Sequence, residues 1–131
     1  MEGDKIVCFG EILWDFFQSE KKLVGAPYNV ANSLKKLGAD VNLISRVGDD
    51  QLGKEILKKL HLNNIDSHSI QIDKNYKTGI VKVNLDNDGV AQYEIAKEVA
   101  WDFIEILKRD IEMVSNSKAL IFGSLATRAA S

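Results

Sequence analysis

Ile6-Val7-Cys8-Phe9 is a continuous apolar run closed by Gly10. Such a run predicts a strand covered on both faces, as in a parallel sheet. Residues 13–24 mix Trp14, Phe16 and Phe17 with a polar stretch from Gln18 to Lys22, enough for a short strand and a turn. A helix is predicted over 27–37, because Pro27 suits its first position and Gly38 the residue past its end. Val30, Ala31, Leu34 and Leu37 form its apolar face, and Lys35 and Lys36 complement the dipole at its C-terminus. A strand rich in β-branched residues follows over 41–47. Asp49 and Asp50 are placed to cap a second helix running to about His61, with Leu52, Ile56, Leu57 and Leu60 as its stripe. This strand–helix–strand–helix alternation predicts a parallel sheet with helices packed on its faces.

The pattern then changes. Three short β runs stand at 69–72, 79–85 and 90–95. In the second, Val81, Val83 and Leu85 alternate with Lys82 and Asn84, which predicts a sheet with one wet face. Asp86-Asn87-Asp88-Gly89 is a hairpin turn signal between the last two runs. Together they predict a small antiparallel excursion beside the α/β core. Ile104, Leu107, Ile111 and Val114 return to helical spacing, and Ala119-Leu120-Ile121-Phe122-Gly123 repeats the buried-strand pattern of the first run.

The 131 residues are enough for one domain, and 45% apolar with 27% charged residues is ordinary for a globular chain. Seventeen basic against 19 acidic residues argue against a nucleic-acid or anionic-membrane partner. No run approaches the ~20 apolar residues of a membrane span, and the start lacks a signal-peptide pattern, so the cytosol is the expected compartment. Cys8 is the sole cysteine, which excludes an internal disulfide and suits a small buried hydrophobe.

Glu11 and Asp15 follow the carboxyl end of the first strand, where ligands bind in open α/β sheets. Two carboxylates there can accept hydrogen bonds from hydroxyls, work as acid and base, or simply face water. Gly25-Ala26-Pro27-Tyr28-Asn29 is more informative. Gly25 permits close backbone approach, the helix start offers free N–H groups, and Asn29 brings a donor and an acceptor. That set suits a polyol, although an ordinary helix start would contain the same residues. Gly48-Asp49-Asp50-Gln51-Leu52-Gly53 lacks a phosphate-loop pattern, and its aspartates would repel phosphate, so it reads as a helix cap. His61 and His68 are not spaced as a metal pair, and no Ser-His-Asp set can be assembled.

Taken together, the run from Gly25 through Ala31, Leu34 and Leu37-Gly38, then Val47-Gly48-Asp49-Asp50 and Gly53, resembles the first signature of the PfkB (ribokinase-like) sugar kinases. Gly10-Glu11-Ile12-Leu13-Trp14-Asp15, Tyr93-Glu94-Ile95, Ala100-Trp101-Asp102 and Gly123-Ser124-Leu125-Ala126-Thr127-Arg128 resemble its fructokinase branch. The resemblance implies a ribokinase-like α/β fold, a parallel sheet with flanking helices and a small antiparallel β lid, truncated. Its lid strands would fall mainly within 69–95 and also at 14–24. It implies that Asp15, Gly25 and Asn29 hold sugar hydroxyls, that Tyr93 and Ile95 sit on the lid, and that Arg128 lies near the sugar. Val24 departs from the family, which usually has a second glycine there. The family's second signature, D-T-x-G-A-G-D, with its catalytic aspartate and anion hole, is absent from these residues. The chain therefore resembles the N-terminal, sugar-and-lid portion of a kinase whose complete form uses ATP and Mg2+. On this reading it has no catalytic residue of its own, and it pairs with a second copy through the lid or an open sheet edge. Fructose, 2-keto-3-deoxygluconate, ribose and nucleosides are the acceptors the resemblance leaves open. A non-catalytic sugar-binding or oligomerisation module is the other reading.

Overall fold

β1 (Ile6–Phe9) is short and apolar because parallel neighbours flank it on both sides; Val7 and Cys8 are fully buried. The computed structural model describes residues 4–128. After β1 come β2 (Leu13–Phe17), β3 (Glu20–Val24), α1 (Ala26–Lys36), β4 (Val41–Gly48) and α2 (Gln51–Leu62). They are followed by β5 (Ile70–Asp73), β6 (Gly79–Leu85), β7 (Ala91–Ile95) and a 3-10 turn, Ala100–Phe103. The described chain closes with α3 (Lys108–Ser115), β8 (Ala119–Phe122) and a second 3-10 turn, Leu125–Thr127.

The first sheet is all parallel, in the order β5-β4-β1-β8. Cys8, Val41, Leu43 and Val47 point to one face, where Tyr28 and Ala31 of α1 and Ile56 and Leu60 of α2 complete a buried cluster. On the opposite face, Phe9, Ile44, Leu120 and Phe122 line an apolar groove of about 340 Å³ beside Ile111 and Val114 of α3. Burial pushes the Cys8 thiol up to about 11.

The second sheet runs β3-β2-β6-β7. Two antiparallel hairpins, β2–β3 and β6–β7, are joined by a parallel β2–β6 pair. The sheet is thus mixed rather than antiparallel throughout, because the first hairpin precedes α1 and the second follows β5. The strands within 14–24 do belong to it. The run at 69–72, expected in the same excursion, instead forms β5 and extends the parallel sheet, with Ser45 opposite Ile70. Four residues with that composition fit either neighbour, and only tertiary contact decides. The helical spacing from Ile104 is realised only from Lys108. Before it, the Glu105 N–H donates to the Gln71 side-chain oxygen at 2.8 Å, and the Gln71 amide donates to the Glu105 carbonyl at 2.9 Å. That bridge holds the segment extended.

Candidate functional site

The two sheets meet at the carboxyl end of β1. Gly10 and Gly25 both take positive φ, 144° and 130°. A side chain on Gly25 would collide with the Glu11 carbonyl oxygen, and one on Gly10 with the Pro27 ring. These two glycines let the start of α1 press against the β1–β2 bend. Gly25 is the N-cap of α1 and offers no capping side chain. Asn29, exposed in the first turn, donates its backbone N–H to the Gly25 carbonyl at 2.7 Å.

Glu11 fills the junction and is only 3% exposed. Burial raises its carboxyl above the usual carboxylate range, partly offset by the backbone N–H groups of Glu11 and Ala26. Its Oε2 has no hydrogen-bond partner. A Cβ at Gly123 would stand 3.7–3.8 Å from the two carboxyl oxygens, so the loop after β8 closes over this group.

Register in the second sheet brings three of the expected residues together. Asp15 is opposite Lys22 on one side and Val81 on the other, and Val81 is opposite Ile95. The next row is Glu20, Phe17, Val83 and Tyr93. In-register partners share a face, so Asp15, Ile95, Tyr93 and Lys22 all project from one side. Below them Leu13, Val24, Val81 and Trp101 pack with Leu125 and Ala126 of the turn after β8. The same face therefore looks toward the carboxyl edge of the parallel sheet. The other face packs on the core, where the Trp14 indole N–H donates to the Leu52 carbonyl at 3.0 Å. Asp15 is half-buried, and its Oδ1 is without a partner. Tyr93 and Ile95 are exposed.

Arg128 is placed differently from the rest. Its guanidinium donates to both carboxylate oxygens of Asp102, at 2.7 and 2.8 Å, and to the Ala96 carbonyl at 2.6 Å. Its direction is set within the protein rather than toward open space. Lys22 was not singled out by sequence reasoning, since only the β2–β3 register places it beside Asp15. Asp102 was seen as a motif residue but not as Arg128's partner, 26 positions away.

At the start of α2, Asp50 is the N-cap and accepts the Gly53 N–H at 2.8 Å, as the sequence predicts. It also accepts the Thr78 hydroxyl at 2.6 Å and the Thr78 N–H at 2.9 Å. A carboxylate already fills this helix start, so it does not fit a phosphate. Among the described residues, no group of three or more His, Cys, Asp or Glu side chains is disposed to hold a metal. No described helix is long and apolar enough to cross a membrane.

The sequence profile of the pfkB family carbohydrate kinases matches residues 4–127. The chain is 30% identical to a probable fructokinase of Arabidopsis thaliana, fructokinase-7, over 92% of its own length and 39% of that protein's. It is 36% identical to a putative sugar kinase of Pyrococcus horikoshii over 79% of this chain and 40% of that one. The crystal structure of that Pyrococcus kinase superposes with a TM-score of 0.80 at 30% identity, covering 92% of this chain and 45% of that one. The same kinase has also been solved in complex with ATP. Halothermothrix orenii fructokinase gives a TM-score of 0.80 at 26% identity, covering 96% and 50%. The chain thus spans about two fifths of the length of the curated relatives it matches.

Proposed function

The chain belongs to the pfkB family of carbohydrate kinases, and from that premise we propose that it forms the sugar-binding and lid portion of a fructokinase-like enzyme. The observation that carries this reading is the shared face of the second sheet. Asp15, Tyr93 and Ile95 project from it, on the side where Trp101, Leu125 and Ala126 pack. Asp15, with an unpartnered buried oxygen, accepts hydrogen bonds from sugar hydroxyls. Gly25 seats the start of α1 against the Glu11 carbonyl, and Asn29, exposed in the first turn, offers a donor and an acceptor. The second sheet is the lid, and its closure excludes water from the sugar. Residues 4–128 make up the α/β core with this lid, and the exposed lid face or the β8 edge is the surface for a second copy.

In the complete family reaction an aspartate removes a proton from a sugar hydroxyl, which attacks the γ-phosphate of ATP held with Mg2+. The signature carrying that aspartate and its anion hole is not among these 131 residues. The start of α2 does not fit a nucleotide phosphate either, because the Asp50 carboxylate fills it. The chain by itself therefore binds sugar without transferring phosphate.

Amide-resolved NMR titration with D-fructose, D-ribose and 2-keto-3-deoxygluconate tests this reading. Fructose is expected to shift the amides of Gly25, Asn29 and Ile95, and Asp15→Asn to weaken its binding by about tenfold or more. Silence of these amides toward all three sugars overturns the sugar reading. ADP formed from Mg·ATP and fructose by the chain alone overturns the non-catalytic one.

A further inference from the structure

Arg128 and Asp102 join three segments that are distant in sequence. Asp102, in the 3-10 turn after β7, has a side chain only 2% exposed. Its Oδ2 accepts the Val99 N–H at 3.1 Å as well as Arg128. Burial by itself would raise the Asp102 carboxyl. The hydrogen bonds and charge of Arg128 and the backbone N–H groups outweigh it and hold the carboxyl below the ordinary range. The pair is therefore a charge-assisted, two-pronged contact, buried on the Asp102 side and reached by water at Arg128. The third bond of Arg128 is to Ala96, the residue directly after β7, whose own N–H donates to Ile80 at 3.1 Å and prolongs the β6–β7 pairing. The guanidinium also lies 4.0 Å from the Trp101 ring centre. Trp101 is 1% exposed and fills the space that Gly79 leaves at the root of β6.

Arg128 itself follows the turn after β8, the edge strand of the parallel sheet. One side chain thus ties the edge of the parallel sheet to the root of β7, the strand that carries Tyr93 and Ile95. We propose that Arg128 is a positioning residue, a strap that sets the stance of β7 over the cleft and thereby the grip on the ligand, without touching the ligand. The ligand half of this inference rests on the lid reading above; the strap itself does not.

Hydrogen exchange on the unliganded full chain provides the test, with fructose titration beside it. Arg128→Lys keeps the charge but loses the planar fork that meets both carboxylate oxygens at once. Asp102→Asn keeps the shape and removes the charge. Both variants are expected to speed exchange of the β7 amides about tenfold, with β1 and β4 amides unchanged, and to weaken fructose binding several-fold. Unchanged β7 exchange overturns the strap. So does exchange that rises equally in β1 and β4, which would mark general loosening of the fold. Faster β7 exchange in a protein that binds no sugar, wild type included, upholds the strap and defeats only the sugar reading. Wild-type fructose affinity in both variants, with faster β7 exchange, overturns the positioning role.

Discussion

Asp50 shows how much one side chain can organise. It caps α2 through Gly53 and holds the start of β6 through the hydroxyl and N–H of Thr78, while the Thr78 oxygen accepts the Gly48 N–H at 2.9 Å. Desolvation pushes its carboxyl up, but the bonds from Thr78 and Gly53 and the charge of Lys77 outweigh this and leave it lowered from 3.8. A carboxylate lowered by folding stabilises the fold above its ordinary titration range, and that stabilisation is lost as pH falls through the folded value. Thermal stability is therefore expected to drop on acidification below 3.8, and to drop less in Asp50→Ala than in the wild type. At neutral pH Asp50→Ala should cost about 2 kcal/mol, from one lost cap and two stranded donors. Melting curves across pH for the two proteins measure both effects. The cap was legible in the sequence because it is local: an aspartate stands three residues before Gly53 and an apolar stripe follows. The bond to Thr78 was not, because nothing along the chain marks a partner 28 positions on.

At the scale of elements, legibility followed the same division. Long periodic segments identified themselves: α1, β4 and α2 lie within a residue or so of their expected bounds. The short runs did not. β5 reads locally like its neighbours in the second sheet, and the sheet it joins is decided by the carboxyl half of β4. The expected site was legible as residue types, whereas the shared face of Asp15, Ile95 and Tyr93 required the β2–β6–β7 register. That register depends on Gly79, where any side chain would strike the Trp101 indole ring. Gly79→Ala is expected to destabilise the chain by about 1–3 kcal/mol, as overpacking of a filled core does. Denaturant unfolding followed by the fluorescence of Trp14 and Trp101 would record it, and a midpoint unchanged from wild type would contradict this packing.

Over the whole molecule, the two faces of the parallel sheet are unequal. One is sealed by α1 and α2 and contains the main cluster. The other is covered only in part by α3, and Phe122 on the edge strand is 65% exposed. Like β4, β1 is an interior strand of that sheet, with neighbours on both flanks and helices over one face. The single cysteine sits there, and this gives the protein a built-in clock. With its thiol held at about 11, only about one molecule in a thousand would present a thiolate at pH 8, and none of the side chain reaches water. A thiol reagent must therefore wait for β1 to open. Modification of Cys8 in native buffer is expected to be slow and independent of reagent concentration at saturation, and to accelerate in urea along the unfolding curve. Immediate stoichiometric labelling in native buffer would show that the centre of the sheet opens freely. If the clock runs slowly, the rate at which this fold opens can be timed without any sugar, nucleotide or partner in the tube.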